Sequence, residues 1–357
     1  MAQLYGSPTA AKGWSWAHGQ SFLAVKKELP WVDLSIRADG VDGEDKPGVE
    51  DLIESMVQQG AKVVYTTSPV FMEPARIVAA RHPDVAFFNA AGVPDRNEPL
   101  NVSYNNATIE EGRYITGEVA GMVVEPGANL GYVASQPTAE VFRGENAFAL
   151  GAMQTNPTAR VHNRWTLTRF DPNLERQAAQ SLLDAPVNAS LLSQHQDSPV
   201  TQLTAQDAGK FGIGFGVDMS DAAPNASLTA PTWNWTGYYK YTIQRTCPGG
   251  TWLFGGKANP PWDYRYWMGS FQAGTVQAAP LNMAALANHP RKDQILRLYT
   301  DEVAAFRTGQ KSFESIFTGP IKDNEGKVRI QGKPEIGALY DERGLWFVAN
   351  VQGSPKP

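Results

Sequence analysis

The stretch VEDLIESMVQQGAKVVYTTSPVFMEPARIVAARHPDVAFF, residues Val49–Phe88, decides the fold class of this chain. Apolar residues recur at helical spacing over Val49–Gln59, which predicts a helix. The short apolar run Lys62–Thr66 predicts a strand, and a second helix and strand are predicted at Glu73–Arg81 and Val85–Phe88. Strands and helices that alternate in this way are typical of parallel sheets covered by helices on both faces.

The same alternation continues on both sides of this stretch. Further strands are predicted at Trp31–Ile36, Leu130–Ala134, Val161–Leu167, Ala189–Ser193 and Gly212–Val217. Further helices are predicted at Ile109–Val124, Glu140–Met153, Leu174–Leu183, Pro199–Ala208, Trp235–Thr246 and Arg291–Arg307. Phe317–Arg329 is expected to form a turn-rich hairpin or loop with Asn324-Glu325-Gly326 at its tip. The chain has 357 residues, and at about 150 residues per domain two such sheets fit this length better than one.

Composition excludes several classes of protein. Apolar residues make up 42% and charged residues 19% of the chain, a globular balance that excludes disorder and fibrous repeats. The net charge of −5 argues against a nucleic-acid partner. No run of 18 apolar residues occurs, so no membrane span is expected. Cys247 is the only cysteine, which excludes an intramolecular disulfide and a cysteine-based zinc site.

The chain also lacks the short motifs of enzymes and of secretion signals. HExxH, a P-loop and GxSxG are all missing, so no cofactor or metal is expected and an enzyme is the least favoured class. The segment Met1–Trp14 shows no secretion signal. The protein is therefore expected to be cytoplasmic, or to be periplasmic or membrane-anchored outside the cytoplasm after removal of a signal.

Polar residues follow many of the predicted strands. In open parallel sheets, ligands bind beyond the carboxyl ends of the strands, so these residues are the first candidates for a binding site. They are Ser7, Pro8, Thr66–Ser68, Asn89, Ser135, Thr168–Asp171, Gln194–Asp197 and Asp218.

Eight segments in collinear order resemble one family. They are GWSWAH (Gly13–His18), YTTSPVFMEP (Tyr65–Pro74), HPDVAFFNAAG (His82–Gly92), EEGRYITGEVAGMV (Glu110–Val123), EVFRGENAFALGAMQTNP (Glu140–Pro157), RFDP (Arg169–Pro172), QHQDSP (Gln194–Pro199) and FTGPIKDNEGKVR (Phe317–Arg329). The chain from Tyr5 to Val348 thereby resembles the basic membrane protein (BMP) family of substrate-binding proteins of ABC transporters. Its purine- and purine-nucleoside-binding members are the most similar in pattern.

The resemblance implies an α/β fold of the type I periplasmic-binding-protein kind. Such a fold has two Rossmann-like lobes, three hinge crossings and a ligand in the cleft between the lobes, which close by a hinge motion. We expect residues 1–104 and 234–276 to form the N-terminal lobe, and residues 105–233 and 277–357 the C-terminal lobe. The crossings are expected near Ser103–Ala107, Leu228–Trp233 and Thr275–Ala279. The implied partners are a purine-like small molecule and an ABC-transporter permease.

The resemblance and the positions of residues after predicted strands together give a set of ligand-binding candidates. The resemblance implies that the aromatic residue at Trp14 stacks on the purine, and the position of His195 after a predicted strand suits it to form a second wall. Asn89 and Asn105 offer amide groups that both donate and accept hydrogen bonds at the edge of a heterocycle. The full expected set is Trp14, Ser68, Phe71, Asn89, Asn105, Phe170, His195, Asp197, Gly216, Asp218, Trp235 and Gln272.

Each of these assignments has a structural alternative. Trp14 is equally suited to packing the start of the first helix in the core. His195, Asp197 and Ser198 suggest a hydrolytic triad, but neighbouring residues on one turn do not supply the separated, converging side chains that a triad needs. Asp197 or Ser198 instead suits a helix N-cap with Pro199 at the first helical position. Asp218 can either accept hydrogen bonds from a ligand or cap the next segment.

Two departures from the family bear on the ligand. Nucleoside-binding relatives carry a lysine where this chain has Gln272, so a charged group that can hold ribose oxygens is missing. The segment Cys247–Trp267 is rich in tryptophan and unusually long, and its Trp262, Tyr264 and Trp267 are candidates to cover the ligand or to pack a subunit contact. We therefore expect a solute-binding protein for a purine base, or less favourably a nucleoside. A cytoplasmic ligand sensor on the same fold is the alternative, and an enzyme acting on a nucleoside-like substrate is the least favoured.

Overall fold

The structure, a computed structural model, describes residues 1–10, 12–94, 98–246, 252–254, 257–258 and 265–356. The strands of the described residues are β1 Ala2–Leu4, β2 Ile36–Ala38, β3 Val63–Thr66, β4 Ala86–Ala90, β5 Val102–Ala107, β6 Asn129–Ala134, β7 Arg160–Trp165, β8 Leu191–Gln194, β9 Phe211–Ile213, β10 Ser227–Thr229, β11 Pro231–Trp233, β12 Leu253–Phe254, β13 Lys257–Ala258, β14 Tyr266–Gly269, β15 Val276–Ala278, β16 Ile321–Lys322, β17 Val328–Ile330 and β18 Val351–Gln352. The α-helices of the described residues are α1 Trp14–Glu28, α2 Lys46–Gln58, α3 Met72–Arg81, α4 Glu110–Val123, α5 Ala139–Thr155, α6 Pro172–Leu183, α7 Val200–Asp207, α8 Thr236–Thr246, α9 Lys292–Arg307, α10 Phe313–Ile316 and α11 Ile336–Tyr340.

The chain divides into two compact units. The first unit comprises Met1–Ala107 and Asn234–Ser270, and the second comprises Thr108–Trp233 and Phe271–Pro357. The chain therefore passes from one unit to the other three times. The segment Thr275–Ala279, where the third crossing was expected, lies inside the second unit because its β15 pairs antiparallel with β11.

The first unit is built on a six-stranded parallel sheet in the order β14-β5-β4-β3-β1-β2. All four residues of β3, Val-Val-Tyr-Thr, are buried, as expected for a parallel strand covered on both faces. On one face α2 and α3 cover an aliphatic core that includes Leu4, Ile53 and Val78. The other face carries aromatic side chains from the sheet, from α1 and from α8.

The second unit contains another six-stranded parallel sheet, in the order β10-β9-β8-β6-β7-β18. Helices α4 and α5 pack closely through glycines. A Cβ atom at Gly117 would lie 2.1 Å from the carbonyl oxygen of Phe148, and one at Gly151 would lie 2.1 Å from that of Tyr114. Glycine is therefore required at both contacts, which explains these residues of the EEGRYITGEVAGMV and EVFRGENAFALGAMQTNP segments.

The predicted architecture of parallel sheets covered by helices is confirmed, and the hairpin at the end of the chain is confirmed as β16 paired with β17. Two strand predictions were wrong. Trp31–Ile36 is mostly irregular, and only its last residue enters β2, because the three residues of β1 pair with Ile36–Ala38. The strand expected at Gly212–Val217 ends at Ile213, and Gly216 has a φ of +77° that a regular strand does not allow.

Candidate functional site

Trp14 lies at the carboxyl end of the first unit's sheet, where α1 begins. Its indole Nε1–H donates a hydrogen bond to the carbonyl oxygen of Thr67, which directly follows β3. The ring meets the imidazole of His18 edge-on, with centroids 4.4 Å apart, and the indole of Trp235 at 5.7 Å. Trp14 remains partly exposed, so one tryptophan is held firmly in place and still presents ring surface.

His18 belongs to the same cluster and was missed by the sequence analysis. Its ring stacks on Trp235, with centroids 5.0 Å apart and 11° between the planes. Its Nδ1 is in hydrogen-bond contact with the hydroxyl of Tyr239 on α8. Complete burial lowers the pKa of the His18 imidazole to about 3, so the ring is neutral near pH 7. The available signal was its spacing, because a residue four positions after Trp14 lies on the same helical face.

Two buried amides lie on neighbouring strands at this end of the sheet. The Asn89 Nδ2 donates to the Thr66 hydroxyl and to the Ser68 carbonyl oxygen, both at 2.8 Å. The Asn89 Oδ1 and the Asn105 Nδ2 have no hydrogen-bond partner among the described residues. β4 and β5 pair so that Asn105 lies opposite Ala90, one residue beyond Asn89. One unsatisfied acceptor and one unsatisfied donor therefore lie close to the strand ends, and buried groups of this kind usually have a partner. Side chains alternate between the two faces of a sheet, so Asn105 lies on the aromatic face with Phe88 and Asn89 lies on the face covered by α2 and α3.

Two residues expected to touch the ligand are instead enclosed. Phe71 is fully buried in the aliphatic core of the first unit, because the short turn Pro69–Phe71 directs its ring toward that core. Trp235 is also fully buried and packs against Trp14, His18 and Trp267. We therefore treat Phe71 as a core residue and Trp235 as a support for Trp14.

The described part of the tryptophan-rich segment packs onto the same cluster. Trp267 stacks on Tyr238 with centroids 4.7 Å apart, and Trp252 lies near Phe88 at 6.3 Å. These contacts are all internal to the first unit. Trp262 and Tyr264, which were also expected to cover the ligand or form a subunit contact, lie outside the described residues.

In the second unit, His195 follows β8 and is 2% exposed. Its ring centroid lies 4.1 Å from that of Phe215, and its Nε2 lies 3.7 Å from an oxygen of Glu140. Burial lowers the pKa of His195 to about 4, although Glu140 acts in the opposite direction. His195 is thus buried against Phe215 in the second unit and is neutral near pH 7.

Arg113 of α4, which the sequence analysis did not single out, packs against the ring of Phe215. Its guanidinium lies 4.0 Å from the ring centroid of Phe215, and its Nη1 donates to the carbonyl oxygen of Gln194 at 2.7 Å. Arg113 is fully buried, and its Nε and Nη2 have no hydrogen-bond partner among the described residues. Burial of the guanidinium lowers the pKa of Arg113.

The residues after His195 lead into α7 and do not form a catalytic triad. The N-cap expected at Asp197 or Ser198, with Pro199 as the first helical residue, was wrong by one position or two, because Pro199 is the N-cap and the helix begins at Val200. The Ser198 hydroxyl donates to Glu175 and accepts from the backbone N–H of Val200 at 3.2 Å. The backbone N–H of Asp197 donates to the carbonyl oxygen of Arg169 at 2.9 Å. Because Ser198 is engaged by a carboxylate and His195 lies beside Glu140, these residues do not form the hydrogen-bonded relay of a hydrolase.

The remaining candidates occupy the surface of the second unit or its turns. Phe170 is 40% exposed. Gly216 adopts its positive φ while its N–H donates to the carbonyl oxygen of Pro231. Asp218 is exposed and its Oδ1 accepts from the N–H of Ser220 at 2.9 Å, which is the capping alternative. Gln272 is exposed, and its amide lies beside Gly309, just after α9.

Neither a metal centre nor a membrane span is found in the part of the chain that the structure describes. No group of three or more His, Cys, Asp or Glu side chains in the described residues is arranged to hold a metal ion. Among the helices of the described residues, none is both long enough and apolar enough to cross a membrane.

Two α/β units, each with a parallel six-stranded sheet, and three chain crossings between them correspond to the type I periplasmic-binding-protein fold. A solute-binding protein of an ABC transporter from Conexibacter woesei superposes with a TM-score of 0.68 at 18% identity, covering 88% of this chain and 98% of that one. Residues 4–259 match the Bmp family model, described as ABC transporter substrate-binding protein PnrA-like. The chain belongs to this family, whose members bind substrates and are not enzymes.

Two curated relatives differ in the ligand that their names state. A purine-binding protein of Brucella abortus is 32% identical over 353 residues, covering 98% of this chain and 91% of the relative. A putative ABC transporter glucose-binding protein of Haloferax volcanii is 35% identical over 243 residues, covering 68% of this chain and 60% of the relative.

Proposed function

We propose that this protein captures a small planar heterocycle, and a purine base is the first candidate. The capture takes place outside the cytoplasm, and the protein delivers the ligand to an ABC-type importer in the membrane. The observation that carries the proposal is Trp14, which is partly exposed, anchored to Thr67 and backed by His18. Stacking of a nucleobase on an aromatic side chain contributes about 1–3 kcal/mol. A ring held in one orientation loses little entropy when a flat ligand stacks on it.

The polar groups near the sheet end support a heterocycle with both donors and acceptors on its edge. Adenine and related bases present such edges. The Asn105 Nδ2, on the same sheet face as the aromatic cluster, would match an acceptor on the edge, and the Asn89 Oδ1 is a separate candidate for a donor. Ser68 completes the contribution that we propose for the first unit. From the second unit we propose His195 and Phe170 as aromatic contacts, and Asp197, Gly216, Asp218 and Gln272 as polar ones.

The ligand named for the Brucella abortus relative supports this choice, since that similarity extends over 98% of the chain. A sugar is the second candidate, because the Haloferax volcanii relative is named for glucose. The two candidates differ in a measurable way. A purine gains from stacking over its whole surface, whereas a sugar depends mainly on hydrogen bonds to its hydroxyl groups.

A thermal-shift panel of adenine, guanine, hypoxanthine, their nucleosides and glucose tests the proposal. A ligand at 100 times its dissociation constant stabilises the folded state by about 2.7 kcal/mol, which is a clear shift. Mass spectrometry of small molecules released from the purified protein gives an independent identification. If glucose is the only compound that raises the unfolding temperature, the ligand is a sugar and not a purine. If no compound of the panel shifts the protein, the heterocycle proposal fails.

The transport role needs a separate test. Reconstitution with a cognate ABC permease in vesicles should give ligand uptake that depends on this protein. A protein that binds a purine but stimulates no uptake, and changes transcription instead, would favour the sensor alternative.

A further inference from the structure

A cavity lies in the second unit, between the β16–β17 hairpin and the segment 331–346 that follows it. Its volume is about 440 Å³, within the range of about 300–1,000 Å³ that is usual for small-molecule sites. None of the residues proposed above to contact the purine lines this cavity.

The base of the cavity is apolar. Ile330, Leu339 and Trp346 line it and are 8%, 5% and 4% exposed. The position of Trp346 is fixed by Asn146, whose side chain donates to the Trp346 carbonyl oxygen at 2.8 Å and accepts from the N–H of Val348 at 2.9 Å. A preformed apolar surface is therefore available to the body of a small ligand.

The rim of the cavity is cationic. It carries Lys327, Arg329, Lys333 and Arg343, with Glu335 as the acidic residue. The two arginines are neutralised within the protein. Arg329 pairs with Asp323 at 2.6 Å, and Arg343 pairs with Glu335 and with Asp341, both at 2.8 Å.

The two lysines remain available. Neither Lys327 nor Lys333 forms an ion pair with any residue that the structure describes. An uncompensated positive charge at the mouth of an apolar cavity attracts an anionic group while the cavity holds an apolar one. The two uncompensated lysines disfavour a cationic ligand.

We propose that this cavity is a second ligand site, which takes a small organic anion with an apolar body and a carboxylate or phosphate group. The body contacts Ile330, Leu339 and Trp346, and the anionic group faces Lys327 and Lys333. This inference does not depend on the identity of the transported ligand, because it uses a different set of residues.

The test uses para-fluorobenzoate as the probe and follows the broadening of its fluorine NMR line by the full-length protein. We expect a salt-sensitive signal, because exposed charges are screened within about 10 Å at 0.1 M salt. The double variant Lys327→Glu and Lys333→Glu should raise the dissociation constant by about fourfold or more, given the usual size of exposed charge interactions. Lys210→Glu, at an exposed lysine of the second unit that does not line the cavity, is the matched control and should leave binding unchanged.

A cavity-filling variant separates this site from non-specific attraction. Ala338→Trp places an indole in the cavity and should abolish the broadening, while thermal unfolding reports whether the variant remains folded. Saturating purine should leave the probe signal unchanged. Equal weakening by Lys210→Glu, or full binding to both the double lysine variant and a folded Ala338→Trp variant, would overturn the proposal. Loss of the signal on adding purine would also overturn it, since the probe would then occupy the transport site.

Discussion

The imidazole of His18 stacks on the indole of Trp235, with centroids 5.0 Å apart and 11° between the planes. This contact joins α1 to the residue that immediately precedes α8, although the two residues are 217 positions apart in the sequence. Trp14 packs on the edges of both rings. The orientation of the proposed stacking residue therefore depends on a histidine that never contacts solvent.

The first prediction concerns the protonation of His18. Its ordinary pKa of about 6.5 is expected in the unfolded chain, and burial lowers the pKa in the folded protein to about 3. Because the folded-state pKa is lowered, the neutral ring contributes its full stability at pH values above the unfolded pKa of about 6.5. This stability is lost as the pH falls from there toward 3. When the pH is lowered from about 7 to about 5, the titration of this histidine should reduce the unfolding free energy by about 2 kcal/mol.

Urea unfolding of wild type and His18→Gln at both pH values measures this cost. Burial raises the pKa of Glu118 and of Glu145 to about 8, so their contributions are lost as the pH rises and have the opposite sign. They are present in both proteins and cancel in the comparison. The pH dependence of the variant should differ from that of wild type by about 2 kcal/mol, and identical dependences would show that His18 is not a buried neutral group.

The second prediction is that Trp14→Ala weakens binding of the identified ligand by about 1–3 kcal/mol, because a stacking surface is removed. Trp14→Phe should retain most of the affinity, since it keeps a flat ring, although it loses the hydrogen bond to Thr67. Trp31→Ala, at a tryptophan of the same unit that is 57% exposed, is the control. Isothermal calorimetry that gives Trp14→Ala the wild-type dissociation constant would remove Trp14 from the site.

The third prediction is a preference for a free base over its nucleoside, which follows from glutamine at position 272. Gln272→Lys should strengthen nucleoside binding by about two- to fivefold and leave base binding unchanged, because an exposed charge adds a modest interaction with ribose oxygens. Gln277→Lys, at another exposed glutamine of the second unit, is the matched control. Tighter binding of nucleosides than of bases by the wild-type protein would contradict the prediction.

The fourth prediction concerns Glu111, whose buried carboxylate connects three segments of the second unit. It accepts hydrogen bonds from the hydroxyl of Thr108 at 2.9 Å, from the N–H of Phe271 at 2.6 Å and from the N–H of Phe313 at 3.0 Å. Glu111→Ala leaves two buried N–H groups without an acceptor and should cost roughly 2–5 kcal/mol. Glu111→Gln should cost less, because its amide oxygen still accepts one of these bonds.

Urea denaturation checks this prediction, with Glu314→Ala as the control at an exposed acid of the same unit. That control should change the unfolding free energy by less than about 0.5 kcal/mol. A similarly small change in Glu111→Ala would mean that Phe271 and Phe313 find other acceptors.

The sequence by itself determined the parallel α/β architecture and placed most of its helices. These features are local, since the spacing of apolar residues along a few turns or one strand reports which face is buried. It also placed Trp14 at the start of the first helix and Asn89 at a strand end, and the structure finds both there. It failed for Trp31–Ile36, because strand length is set by pairing with a neighbour, and β1 has only three residues.

The tertiary structure alone decided which side chains surround these positions. Phe71 and Trp235 are aromatic residues at plausible places, yet both are enclosed. Arg113 carries no local sign that it packs against Phe215, and the spacing of His18 from Trp14 does not reveal its stacking on Trp235. The hydrogen-bond partners His18 and Tyr239 are 221 residues apart. A pattern read along the chain reports periodic burial, whereas the partner of a buried side chain depends on how distant segments pack, and only the folded chain brings those segments together.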